Sequence, residues 1–73
     1  MSRILHIASL LVHHQPAAAP ALDALLDGLP GAELALREGG RSVVLCEAAD
    51  EGAMLDCMDA LGALDGVIGV SLV

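Results

Sequence analysis

The side chains able to do chemistry in this chain are three histidines, two cysteines and ten carboxylates, together with serines at positions 9 and 71 inside apolar runs. His13 and His14 are adjacent, so on a strand they point to opposite faces and cannot chelate one ion together. His6 shares strand parity with His14 but lies far from it. All three histidines therefore read as strand-end or surface residues. Ser9 and Ser71 have no base and orienting acid at recognisable spacing, and neither sits in a nucleophile elbow. Cys46 and Cys57 are eleven residues apart with no CxxC pair or histidine near them, which reads as reduced, buried small hydrophobes. Lysine is absent, and Gly39-Gly40 is a hairpin signal, not a phosphate loop. No catalytic residue, metal or cofactor is expected, and the chain reads as a binding module instead of an enzyme.

Charge narrows the partner. The formal net charge of −7 argues against nucleic acid, whose phosphates need Lys and Arg to neutralise them. A basic peptide is the natural complement. Arg3, the apolar run to Val12 and the Ala17-Ala18-Ala19 triplet together imitate a secretory signal, but His6 lies within the run and Pro20 directly follows the triplet. Residues 4–22 carry no charged side chain, yet the histidines, Gln15 and two prolines oppose a membrane-spanning helix. A cytoplasmic protein without membrane insertion is expected.

The 73 residues form one domain, 1–73, too short to hide more than about 60% of the surface its unfolded form exposes. With no Phe, Trp or Tyr, its core must be built from Leu, Val, Ile, Ala and Met. Residues 4–12 are the longest β-compatible apolar run and read as a central strand. Ala18, Leu22, Leu25, Leu26 and Leu29 then recur at helical spacing, with Gly28 and Pro30 ending the helix. Ala32 to Arg37 alternates as a half-exposed strand, and Arg41 to Ala48 is its hairpin partner across Gly39-Gly40. Asp50 is a good N-cap for a second helix whose buried stripe is Met54, Met58 and Leu61, ending at Gly62 or Gly66. Val67 to Val73 is the last strand.

Strand, helix, strand, strand, helix, strand folds most simply into an α+β, ferredoxin-like βαββαβ sandwich: a four-stranded antiparallel sheet in the order 4-1-3-2, with both helices on one face. The other face is left open. Alternation sends Leu34 and Leu36 towards the helices and Glu33, Ala35 and Arg37 outward. In the last strand Ile68, Val70 and Leu72 turn inward and Val67, Gly69, Ser71 and Val73 outward. In the first, Ala8, Leu10 and Val12 point in and Ile7, Ser9 and Leu11 out; in the third, Val44 and Cys46 point in and Val43, Leu45 and Glu47 out. An uncovered apolar face of this kind marks a binding surface, the alternative being burial in a homodimer.

The two ends of the chain together resemble the NapD family, small cytoplasmic maturation chaperones of the periplasmic nitrate reductase. The resemblance is carried by Ile7-Ala8-Ser9-Leu10-Leu11-Val12, by Leu29-Pro30-Gly31-Ala32-Glu33, by Glu47-Ala48 and by Gly66-Val67-Ile68-Gly69-Val70-Ser71-Leu72-Val73. It implies a ferredoxin-like fold and binding of the twin-arginine signal peptide of the nitrate reductase catalytic subunit, delaying export until the molybdenum cofactor is inserted. The peptide-binding residues expected on this reading are Ser9, Leu11, Glu47 and Ser71, with Ile7, Ala35 and Gly69 as neighbours, in a monomer or weak homodimer. The chain departs from the family's pattern in ending at the last strand and in lacking aromatics. The alternative is an ACT-type regulatory domain that binds an amino acid between paired domains.

Overall fold

Nine residues without an internal charge, His6–His14, form strand β1, which pairs on both sides. A computed structural model describes residues 6–73, so Ile4 and Leu5 of the expected first strand lie outside the described residues. After β1 a single helical turn at Pro16–Ala18 leads into helix α1, Ala19–Asp27, so that Pro20 falls where its missing N–H costs nothing. Strands β2, Ala32–Glu38, and β3, Arg41–Ala48, form the hairpin across Gly39-Gly40. Helix α2, Glu51–Gly62, starts on the Asp50 side chain, whose Oδ1 accepts the Ala53 N–H at 2.7 Å. Strand β4, Val67–Leu72, completes the sheet.

The sheet is antiparallel throughout, in the order β2-β3-β1-β4, the ferredoxin-like arrangement that the element order implied. Its core lies between sheet and helices: Leu10 and Val12 of β1 and Val44 and Cys46 of β3 meet Leu22 and Leu26 of α1 and Met54, Cys57 and Leu61 of α2. The inward parity read for β1 and β3 is the observed one.

Both edge strands depart from strict alternation, each through a bulge. In β2, Leu34 pairs with Val44 but Leu36 pairs with Val43, and Ala35 between them has no partner. The slip inverts every side chain beyond it. Leu36, expected in the core, lies instead on the open face and is 61% exposed, while Arg37, expected outward, points to the helices and grips Asp23 of α1. In β4, Gly69 pairs with His13 and Val67 with His14, leaving Ile68 as the extra residue. Ile68 is therefore exposed and Val67 packs against the core, the reverse of the expectation for both. The cause lies at the strand's entrance. Gly66, at φ +89, accepts the Gln15 N–H and approaches Ala18 too closely for any side chain, which fixes Val67 opposite His14.

His14 ends β1, one of the two places expected for it, but it is buried there, 2% exposed, on the inward face. Its Nε2 lies 2.7 Å from the Ser42 Oγ and its Nδ1 2.8 Å from the Gln15 carbonyl. Arg37 Nε–H donates to the same Ser42 oxygen at 2.9 Å. The hydroxyl proton is then free to go to His14 Nε2, and the ring proton sits on Nδ1, donating to the Gln15 carbonyl.

Candidate functional site

The helices cover one face of the sheet, and the opposite face is the candidate site. The register of β1 with β3 sets its middle. Ile7 lies beside Glu47, Ser9 beside Leu45, Leu11 beside Val43 and His13 beside Arg41, and paired residues share a face. On the β4 side Leu11 pairs with Ser71 and His13 with Gly69. Six of the seven residues expected to bind, Ile7, Ser9, Leu11, Glu47, Gly69 and Ser71, thus share this face. Ala35, the seventh, is exposed at the β2 bulge without a register partner. The bulge itself adds a residue that alternation had hidden, Leu36, which takes the place beside Val43.

Two depressions divide the face. One, of about 290 Å³, is lined by Leu11, Leu36, Val43, Glu38 and Arg41. The other, of about 350 Å³, has Ile7 and Leu45 as its apolar floor and Glu33 and Glu47 as its acids. Glu33 pairs with Leu45, and Glu47 lies two residues further along β3, so the carboxylates are diagonal neighbours across the two strands. Gly31 makes this possible: at φ +80 it brings its backbone against the Glu47 carbonyl where a Cβ would collide, and its own carbonyl accepts the Glu47 N–H at 2.8 Å. Glu33 was legible only as an outward residue of β2; its partnership with Glu47 depends on the strand register.

Ser42 and His14 approach as a serine and base would, but Ser42 is fully buried and its hydroxyl is engaged by Arg37 and His14. Among the described residues no three His, Cys, Asp or Glu side chains are grouped to hold a metal ion. Cys46 and Cys57 are both buried with free thiols; burial, with the Cys46 thiol adding to it, pushes the Cys57 thiol up to about 12. Asp23 moves the other way, held below the usual carboxylate range by the hydrogen bonds from Arg37. Among the described residues no helix is long and apolar enough to cross a membrane.

The family model described as NapD protein matches residues 5–73. The chain belongs to the NapD family. Among solved structures, the solution structure of the E. coli Tat proofreading chaperone protein NapD aligns with a TM-score of 0.87 and 27% identity, over 100% of this chain and 79% of that one. No curated protein matches. Family and fold thus agree with the resemblance read from the two ends of the chain.

Proposed function

We propose that this NapD-family chain is a cytoplasmic Tat proofreading chaperone that binds the twin-arginine signal peptide of a periplasmic nitrate reductase catalytic subunit across its open sheet face and delays export until the molybdenum cofactor is in place. The observation that carries the reading is the pairing, on one face, of an apolar floor with two diagonal carboxylates in a protein of net charge −7. A twin-arginine peptide has a basic start and an apolar middle. Its guanidinium groups suit Glu33 and Glu47, and its aliphatic side chains can remove Ile7, Leu11, Leu36 and Val43 from water at about 25 cal/mol per Å². Family membership and the likeness to the E. coli Tat proofreading chaperone support the same conclusion.

The test is calorimetric titration with the signal peptide of the nitrate reductase from the same source, beside a version with both arginines changed to glutamine. Saturable one-to-one binding that weakens in the altered peptide is expected. Leu11→Glu, on central β1, and Ser71→Glu, beside it on edge strand β4, each place a charge on the face and are expected to abolish binding while the circular dichroism spectrum stays unchanged. Unchanged affinity in both variants would remove the sheet face from the reading.

A further inference from the structure

A second apolar concavity lies at the corner where the sheet meets α2. It is a groove of about 330 Å³ lined by Ala8, Met54, Leu55, Met58 and Leu72, with Glu51 on its rim. Leu55 and Leu72 stay 58% and 62% exposed there, and Met54 and Met58 add flexible thioethers that adjust to irregular apolar shapes. This groove is on the helix side, yet it is not separate from the open face: Ile7 lines both the groove and the depression that holds Glu33 and Glu47. The register of β1 with β4 begins at Leu10, so among the described residues Ile7 and Ala8 pair with β3 alone. Among the described residues, a chain crossing Ile7 passes from acidic depression to apolar groove without meeting a strand.

We propose that this groove receives the apolar segment of the peptide whose basic end lies on the open face, so that the peptide turns over the sheet edge at Ile7. The inference rests on the chaperone reading above and adds the second half of its site. Charge and order both favour this occupant. Acidic depression, apolar ridge and apolar groove follow one another as the basic start and apolar middle of such a peptide do. A second copy of the chain fits less well, since each copy carries −7 and neither Arg37 nor Arg41 lies on the groove to offset it.

The experiment observes the methionine methyl groups of the full chain, labelled with carbon-13, during titration with the whole signal peptide and with a peptide cut off after its basic part. The Met54 and Met58 methyl resonances are expected to shift with the whole peptide and stay still with the basic part. Leu55→Glu, at an exposed position that leaves the core intact, is expected to weaken the whole peptide about tenfold or more, given what burial of one leucine is worth, and to leave the basic part unaffected. Binding of the whole peptide with motionless methionine methyls and no effect of Leu55→Glu would overturn the groove while the chaperone reading stands. Methyl shifts that follow protein concentration without peptide would assign the groove to a second copy and overturn it too. Failure of both peptides to bind at all would remove the chaperone reading, and this inference with it.

Discussion

Ser42 is the residue on which most of the buried polar structure depends. It has no access to solvent and joins His14, at the end of β1, to Arg37, which in turn clasps Asp23 on α1. Ser42→Ala deprives both the buried imidazole Nε2 and the partly buried Arg37 Nε–H of their partner. The expected cost is about 2 kcal/mol, the penalty of stranding a buried polar group, read as a fall in the urea midpoint with unchanged slope. Cys57 supports a prediction of opposite kind. Its ordinary value of 9.0 is raised to about 12 by burial, so between those values the folded state keeps a proton that the unfolded state has released. Stability is then complete below about pH 9 and falls as pH rises towards 12. The urea midpoint should decline from pH 8.5 to 10.5, less steeply in Cys57→Ala, and iodoacetamide at pH 8 should modify the folded protein far more slowly than the unfolded one.

At the scale of elements, the bulge at Ala35 decides which side chains reach which face. Deleting Ala35 removes the extra residue and leaves Leu34 opposite Val44 and Leu36 opposite Val43, so Leu36 keeps to the open face and Arg37 to the helix side. The Arg37 bonds to Ser42 and Asp23 and the apolar wall at Leu36 are then retained. Stability by urea unfolding is expected to change by about 1 kcal/mol or less and peptide binding to persist; loss of either would show that the bulge itself, and not the register around it, is needed. The same bulge explains what could be read in advance. Element order, sheet order and the inward sets of β1 and β3 were legible because central strands follow the two-residue period without interruption. Ala35 and Ile68 carry no local mark of a bulge. One lets Arg37 satisfy Ser42, a contact set by the register of the hairpin, and the other follows from Gly66 being pressed against Ala18, which is distant in sequence. The burial of His14 at the strand end is not legible for the same reason: adjacency to His13 puts the two on opposite faces, but it takes Ser42, across the β1–β3 ladder, and the Gln15 carbonyl to make a buried imidazole tolerable. Of the peptide-binding candidates, those on β1, β3 and β4 share the open face, while Leu36 had been hidden by the unforeseen slip.

For the molecule as a whole, ten carboxylates against three arginines set how a basic peptide arrives. A field of one sign raises the encounter rate of an oppositely charged partner and is screened as the Debye length falls from about 10 Å at 0.1 M salt to about 3 Å at 1 M. Apolar burial on Leu11, Leu36 and Val43 is not screened. The two contributions should therefore separate in stopped-flow measurements. The association rate is expected to fall by about an order of magnitude between 0.05 and 0.5 M sodium chloride, with the dissociation rate changing much less. Exchanging both peptide arginines for glutamine should flatten that dependence. The double variant Glu33→Gln, Glu47→Gln removes two carboxylates from the face and leaves the other eight in the chain unchanged. If the whole field steers the peptide, the association rate in this variant keeps most of its salt dependence and the dissociation rate rises, because the local contact is lost. A variant indistinguishable from the parent in both rates would mean that the arginines do not meet these two carboxylates, and the acidic end of the face would have to be sought at Glu38 instead.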